Sequence, residues 1–323
     1  MRGLRKLKCG MIDERLWIGY GETLVEVEIE SASDTALYLD LMKRVLTDSI
    51  YVDDPLAWFT LYRTEPTTPR LKRVLIAALQ HFLARYRVRL VRPYMPLGTD
   101  YSMMTPKELK EMREGGTYWP VRAHTMIGLK RLDNLQYCAE TVIREDIPGD
   151  LIETGVWRGG ACIFMRAILK AYGEKERTVW VADSFEGLPP PDPNSYPADM
   201  DDQFHTYSQW LAISKEQVER NFRRYGLLDQ QVRFLKGWFK DTLPSAPIER
   251  LAVLRLDGDM YESTIQPLEA LYAKLSVGGF VIVDDYCLKP CAQAVHDFRR
   301  AHGIEDEIID IDGVGSFWRR RKI

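Results

Sequence analysis

Carboxylates recur at the ends of short apolar runs in the second half of this chain. Glu153 follows Leu151-Ile152, Asp183 follows Val179-Trp180-Val181-Ala182, Asp257 follows a run from Leu251 to Leu256, and Asp284-Asp285 follows Phe280-Val281-Ile282-Val283. Each pattern reads as a buried strand tipped by an acid. Glu153 stands just before the glycine turn Gly155-Val156-Trp157-Arg158-Gly159-Gly160. An acid there suits a ligand that brings a positive charge, such as the amino group of S-adenosylmethionine. No lysine follows these glycines, which excludes a phosphate-gripping loop, and their spacing is not G-x-G-x-x-G. An acid at the tip of the second strand, Asp183, is placed to accept hydrogen bonds from ribose hydroxyls. Asp257, Asp284 and Asp285 would repel one another unless a cation sat between them, and hard oxygen ligands select Mg²⁺ or a similar ion. Such an ion holds substrate oxygens and lowers the pKa of a hydroxyl about to act as nucleophile. The competing reading is that the glycines make a plain strand-to-helix turn and the acids cap turns.

These residues need elements that bring them to one place. The spacing predicts a strand over 151–154, a helix over 160–171, a second strand over 178–183 and a helix over 215–225. A third strand over 232–239 ends in Gly237, Trp238 and Phe239, a pair of aromatics suited to stacking on an adenine. A fourth strand at 251–256 precedes a helix over 265–275, a Gly278-Gly279 turn and a fifth strand at 280–283. Parallel strands present their carboxyl tips on one edge, so Asp257 and the Asp284-Asp285 pair should converge there. Residues 184–210 are irregular, acidic and aromatic, as lids and binding loops are.

The first third reads less clearly. Residues 22–30 alternate acidic and apolar side chains, as a strand with one wet face does, and Asp34 could cap a helix over 37–46. Residues 69–92 form a basic helical stretch, either a solvated face on a packed helix or a surface for anionic lipid or a partner. Residues 93–117, rich in Pro, Gly, Met and Tyr, read as a connecting or covering segment; a good amphipathic helix follows through Leu132, Leu135, Cys138, Ala139 and Val142. His124 beside it reads as structural. With 323 residues and 46% hydrophobic content, the chain can bury a large core in one or two domains, and a net charge of −3 argues against a dedicated nucleic-acid binder. Five cysteines without a CxxC pair suggest reduced thiols in the cytoplasm, and the basic N-terminus precedes no unbroken apolar segment, so neither a signal peptide nor a membrane span is expected.

Glu-Thr-Gly-Val-Trp-Arg-Gly-Gly (153–160), Asp-Ser-Phe-Glu-Gly-Leu-Pro (183–189), Gly-Trp-Phe (237–239), Asp-Gly-Asp-Met-Tyr-Glu-Ser-Thr (257–264) and Gly-Gly-Phe-Val-Ile-Val-Asp-Asp-Tyr (278–286) together resemble the macrocin O-methyltransferase family. The resemblance spans roughly residues 36–320 and includes Arg122-Ala123-His124-Thr125-Met126. It implies an α/β fold: a seven-stranded, Rossmann-like class I methyltransferase sheet with helices on both faces. Runs 307–311 and 315–319 would supply an antiparallel hairpin at the sheet edge. A mostly helical covering region would occupy 1–117 and the methyltransferase domain 118–323.

The resemblance further implies S-adenosylmethionine and Mg²⁺ as cofactors and a sugar hydroxyl of a glycosylated small molecule as acceptor. Thr125 and Met126 would touch the cofactor, and Glu153, Thr154, Gly155, Val156 and Trp157 would line its methionine end. Asp183, with Ser184 beside it, would hold the ribose, and Gly237 and Trp238 would sit by the adenine. Asp257, Asp284 and Asp285 would bind the metal, with Asp257 also the catalytic base. Two stretches depart from the pattern: residues 1–35, and 56–100, which look like an insertion. Nucleic acid and a stable membrane anchor are not expected as partners, whereas a homo-oligomer is possible. Two other readings stand beside this one: a nicotinamide-dependent oxidoreductase or epimerase on a similar sheet, and a non-catalytic scaffold of a biosynthetic complex.

Overall fold

A computed structural model describes residues 9–12, 15–20, 23–27, 33–50, 105–117 and 122–322. Contacts within the chain divide it into two compact units, 1–38 and 39–323. The first contains an antiparallel meander of β1 (Cys9–Ile12), β2 (Arg15–Tyr20) and β3 (Thr23–Val27), in that order. β3 falls inside the stretch whose alternation predicts a strand. Helix α1 (Asp34–Leu46) follows. Its first turn is capped by Ser33, whose Oγ accepts from the Ala36 N–H at 3.2 Å, so Asp34 is the first helical residue and not the cap. The basic stretch 69–92 lies outside the described residues.

Residues 93–117 are not wholly a connector, because α2 (Pro106–Glu114) forms there. The signal was present in the sequence as Thr105-Pro106-Lys107-Glu108. Thr105 Oγ1 accepts from the Glu108 N–H at 3.3 Å, Glu108 Oε2 accepts from the Thr105 N–H at 2.7 Å, and Pro106 takes the first helical position. Helix α3 (Leu129–Arg144) buries the expected stripe of Leu132, Leu135, Cys138, Ala139 and Val142.

The core is one seven-stranded sheet. Its elements in chain order are β4 (Asp150–Thr154), α4 (Gly160–Ala171), β5 (Val179–Asp183), α5 (Ser208–Leu211), α6 (Lys215–Arg224), β6 (Val232–Lys236), α7 (Phe239–Thr242), β7 (Leu251–Leu256), α8 (Tyr261–Leu271), β8 (Leu275–Val283), α9 (Lys289–Ala301), β9 (Ile309–Asp310) and β10 (Ser316–Arg319). The strand order is β6-β5-β4-β7-β8-β10-β9. The first five of these are parallel, and β10 runs antiparallel to both β8 and β9, which is the edge hairpin the last runs of the sequence predicted. The chain order reverses at β4, which pairs β5 on one side and β7 on the other. That reversal opens a crevice at the carboxyl tips of β4 and β7.

Several boundaries differ from expectation. The third strand, expected over 232–239, ends as β6 at Lys236; Gly237 turns the chain at φ +139°, and Phe239 opens α7 instead of closing the strand. The helix after Asp257 starts at Tyr261 and ends at Leu271, and β8 begins at Leu275, so Gly278 and Gly279 lie within the strand instead of in a turn before it. The pairing of β7 with β8 slips at this point, and a Cβ on Gly279 would meet the Ala252 carbonyl oxygen at 2.7 Å. Glycine here admits an irregularity inside a strand, which periodicity alone reads as a break.

Two contacts close the crevice end of the sheet. Gly155 has φ +88°, and a Cβ there would lie 1.7 Å from the Asp257 carbonyl oxygen. A Cβ on Gly160 would meet the His124 carbonyl oxygen at 2.4 Å, so residues 123–126 cross closely over the start of α4. That crossing is tied down by Arg158 Nη1 donating to the Ala123 carbonyl (2.7 Å) and by the His124 N–H donating to Leu46 O (2.8 Å). His124 Nδ1 also shares a hydrogen bond with the Tyr225 hydroxyl (2.8 Å).

These contacts generate two predictions. Gly155→Ala combines a disfavoured φ with a backbone collision and should cost more than about 3 kcal/mol. Gly173→Ala, also at positive φ (+71°) but with open space around its Cβ, should cost only about 1 kcal/mol. Urea midpoints of the two variants test this; equal losses would refute it. Burial, and then Arg158 and Arg224, push the His124 pKa down to about 4. The neutral ring is therefore favoured in the fold, and its stabilisation, intact above the unfolded pKa near 6.5, is lost as pH falls from there towards 4. Between pH 7 and 5 the wild type should lose about 1–2 kcal/mol that His124→Gln does not lose, measured by denaturant unfolding at both pH values.

Candidate functional site

A cleft of about 360 Å³ lies at the carboxyl edge of the sheet. Its walls include Thr125 and Met126 from the crossing segment, Glu153, Gly155, Val156 and Trp157 from the tip of β4, Asp183 and Ser184 after β5, Gly237 and Trp238 after β6, and Asp257 after β7. Of the residues expected at the cofactor, Thr154 alone does not line it; it is fully buried behind the wall, its hydroxyl donating to the Arg255 carbonyl at 3.4 Å. Further wall comes from Gly187 to Pro190, Asp192 and Leu211 of the irregular loop, from Glu262, Ser263 and Gln266 of α8, and from Ala161, Phe239, Lys240, Gly258 and Asp259.

Asp183 organises two of these segments. Its Oδ2 accepts from the Val156 N–H at 2.7 Å and its Oδ1 from the Phe185 N–H at 2.6 Å, so one carboxylate holds the glycine turn and the loop after β5 together. The Ser184 hydroxyl also lies 3.5 Å from Oδ1. Burial raises the Asp183 pKa, and the backbone N–H groups of Val156 and Phe185 oppose that rise. Three residues without glycine's freedom hold positive φ around the cleft: Trp157 (+46°), Phe185 (+59°) and Asp259 (+59°). For bulky side chains such as Trp157 and Phe185 this is a strained conformation, retained here by the surrounding contacts. Trp157 is held by Arg158, whose guanidinium lies 4.1 Å from its ring centroid, and by its Nε1–H, which donates to the Trp210 carbonyl at 3.1 Å.

The floor of the cleft is an ionic network. Asp257, Asp284 and Asp285 each place a carboxylate oxygen within 4.8 Å of the others. Between them and β4 lies Arg255, whose side chain is 1% exposed. Its Nη1 donates to Glu153 Oε1 (2.5 Å) and to Asp257 Oδ2 (2.8 Å), and its Nη2 to Asp284 Oδ1 (2.5 Å). Arg131, from α3, donates to the other Asp284 oxygen at 2.5 Å and to Asp312 Oδ2 at 3.1 Å. Glu153 also accepts from the Cys162 thiol at 2.9 Å. Thus the charge expected to face a cofactor amino group meets Arg255 in the folded chain.

Carboxyl groups outnumber guanidinium groups in this network, with Glu153, Asp257, Asp259, Asp284, Asp285 and Asp312 beside Arg131 and Arg255, and the crowding disfavours full ionisation. Withdrawal from water, then the charge of Asp284, raises the Asp257 pKa to about 6 against the pull of Arg255. Withdrawal from water, then Asp257 and Asp284, raises Asp259 to about 8, and burial with Asp259 as the next cause pushes Asp285 well up. The close oxygens of Asp257, Asp284 and Asp285 suit a hard divalent cation in donor type. Asp257 retains Oδ1 free of any arginine, with its side chain 30% exposed to the cleft.

Sequence reasoning passed over four residues here. Arg255 sits inside the run Leu251-Ala252-Val253-Leu254-Arg255-Leu256, where a lone cation in an apolar strand was itself the signal. Arg131 and Asp259 carried no signal beyond their charge. Asp199 is fully buried in the irregular loop and accepts from the Tyr261 N–H (2.7 Å) and the Glu262 N–H (2.9 Å) at the start of α8.

Residues 35–320 match the macrocin-O-methyltransferase (TylF) family. The chain is 52% identical over 291 residues, 90% of its length and 94% of the relative's, to the 8-demethyl-8-(2,3-dimethoxy-alpha-L-rhamnosyl)-tetracenomycin-C 4'-O-methyltransferase of Streptomyces olivaceus. It is 58% identical over 214 residues, 66% of its length and 84% of the relative's, to the mycinamicin III 3''-O-methyltransferase of Micromonospora griseorubida. Among solved structures, the O-methyltransferase NovP superposes with a TM-score of 0.71 at 46% identity, covering 90% of this chain and all of that one. The sheet order, the cleft at its carboxyl edge and a match that runs through every element of the site lead to one conclusion: the chain belongs to the macrocin O-methyltransferase family.

Proposed function

We propose that this enzyme moves the methyl group of S-adenosylmethionine to a sugar hydroxyl of a glycosylated natural product, with a divalent cation held by Asp257, Asp284 and Asp285. One observation carries the reading: Asp257 belongs both to the wall of the cofactor cleft and to the cluster of three carboxylates. A hydroxyl bound at that cluster therefore lies beside the methyl donor. The named relatives act on glycosylated small molecules, among them tetracenomycin and mycinamicin derivatives, which supports the acceptor class. Family membership sets aside the nicotinamide oxidoreductase and the scaffold. Among the described residues no helix is long and apolar enough to cross a membrane.

In this reading Asp183 accepts from the ribose hydroxyls, and Trp238 covers the adenine. The acidic floor below Glu153 favours the sulfonium charge of the cofactor electrostatically, although the Glu153 carboxylate itself is engaged by Arg255. Arg255 holds Asp257 by Oδ2, which leaves Oδ1 facing the cleft as the proton acceptor. When bound, Mg²⁺ supplies Lewis-acid stabilisation of the alkoxide that forms as the hydroxyl loses its proton. The rest of the work is positioning of two reactants in line, which lowers the barrier by restricting their motion in advance.

Titration calorimetry should show S-adenosylmethionine binding without acceptor, and Asp183→Ala should weaken it by about 1–3 kcal/mol. Absence of binding by the wild type would refute the cofactor assignment. Chelation should abolish turnover, leave cofactor affinity largely intact, and be reversed by Mg²⁺. Asp284→Asn and Asp285→Asn should raise the Mg²⁺ concentration needed for activity, whereas Asp257→Asn should stay inactive at saturating Mg²⁺. Full turnover by a thoroughly chelated enzyme would make the three aspartates structural caps. Transfer of labelled methyl to a panel of glycosides tests the acceptor class, and methylation of RNA or protein alone would contradict it.

A further inference from the structure

The irregular loop between β5 and α6 and the helix α8 both contribute to the cleft wall. The loop contributes Leu188, Pro189, Pro190 and Leu211 to the wall, and α8 contributes Glu262, Ser263 and Gln266. Helix α8 has no side-chain cap from its own preceding residue, Met260. Its first N–H groups are instead satisfied from the loop by Asp199, which is fully buried and gives one oxygen to Tyr261 (2.7 Å) and the other to Glu262 (2.9 Å). A carboxylate at a helix amino end is favoured both by these bonds and by the helix dipole. Tyr196 strengthens the junction: its ring lies 6.0 Å from that of Tyr261, and its hydroxyl accepts from Gln266 Nε2 at 3.3 Å. At the far end the loop is fastened again, where the Trp210 carbonyl accepts from Trp157 Nε1.

We infer that Asp199 is a positioning residue, joining the loop wall of the cleft to the helix that follows Asp257. It touches neither reactant in this reading. It sets the width of the cleft and the placement of Glu262, Ser263 and Gln266, and so governs how tightly cofactor and acceptor are held. The inference rests on the methyl-transfer reading for the identity of the ligands, while the junction itself rests on geometry alone.

The test compares Asp199→Ala, which removes both acceptors, with Asp199→Asn, which keeps one, in the full-length protein. Asp150→Asn serves as the control. That carboxylate accepts from the Thr178 N–H and Trp180 Nε1 at the opposite ends of the strands, so its loss perturbs the fold far from the cleft. Asp199→Ala should raise the Kd for S-adenosylhomocysteine and the KM for both substrates about tenfold, with kcat changed less than about threefold. Asp199→Asn should fall between it and the wild type, and Asp150→Asn should leave Kd and KM unchanged. Chymotrypsin should cleave the loop at Phe204, Tyr207 or Trp210 about tenfold faster in Asp199→Ala than in either the wild type or Asp150→Asn. Faster cleavage with unchanged Kd and KM would reduce Asp199 to a structural cap and overturn the inference, as would wild-type behaviour in both assays. Failure of the methyl-transfer reading looks different: the wild type itself would not bind S-adenosylhomocysteine, and the inference would fall with it.

Discussion

A guanidinium buried at the centre of the sheet edge is the constraint on which the rest of the site depends. Arg255 comes from β7 and reaches the tip of β4 through Glu153, its own strand end through Asp257, and the tip of β8 through Asp284. Removing such a group from water costs several kcal/mol, which is recovered only when its donors meet charged acceptors. The acids face the mirror condition, because three carboxylates this close would repel without a cation among them. Each side of the network therefore makes the other tolerable. Loss of Arg255 would leave uncompensated buried charge on three strands at once.

The network also extends beyond the cleft. Arg131 carries it from Asp284 to Asp312, whose Oδ1 accepts from the Val314 and Gly315 N–H groups in the turn of the edge hairpin. A single chain of ion pairs thus couples the β4 tip, Asp257, Asp284, α3 and the turn between the last two strands. Buried pairs of this kind contribute little net stability compared with apolar packing, but they fix orientation. Here the fixed objects are Asp284, held by two arginines through both oxygens, and Asp257, held by one oxygen with the other left open. The excess of carboxyl groups over arginines raises the pKa values of Asp257, Asp259 and Asp285, as expected for acids crowded out of water.

Strain is concentrated around this floor. Gly155 adopts a backbone conformation that side chains rarely allow, and its bare Cα lets the β4 turn lie against the Asp257 carbonyl. Trp157, Phe185 and Asp259 hold positive φ without glycine's freedom. Such conformations cost on the order of 1–3 kcal/mol each and persist only where neighbours over-determine them. The neighbours are identifiable: the Asp183 carboxylate between Val156 and Phe185, Arg158 over the Trp157 ring, and the Asp285 carboxylate accepting from the Asp259 N–H at 3.1 Å. Trp157 and Asp259, which line the cleft, thus have backbones held away from their own preferences.

Much of this architecture was legible from the order of residues. Apolar runs of strand length, glycines after β4 and the stripe of Leu132, Leu135 and Val142 report local structure, because helix and strand periodicity act over a few residues. Acids at the ends of successive parallel strands necessarily share an edge, so the meeting of Asp257, Asp284 and Asp285 followed from topology once the strands were recognised. Local misreadings were of a kind that local patterns invite. Gly278-Gly279 reads as a turn but sits inside β8, and Thr105-Pro106-Lys107-Glu108 is a helix start within a stretch whose composition suggests a connector. What the tertiary structure alone decided is which charge meets which. Glu153 looks like a partner for a cofactor amine, yet its acceptor is taken by Arg255, about a hundred positions away. Asp199 looks like one of several loop acids, yet it caps a helix that starts far along the chain. An ion pair or a cap depends on distances of about 3 Å between remote segments, and those distances exist only after the sheet has closed around them.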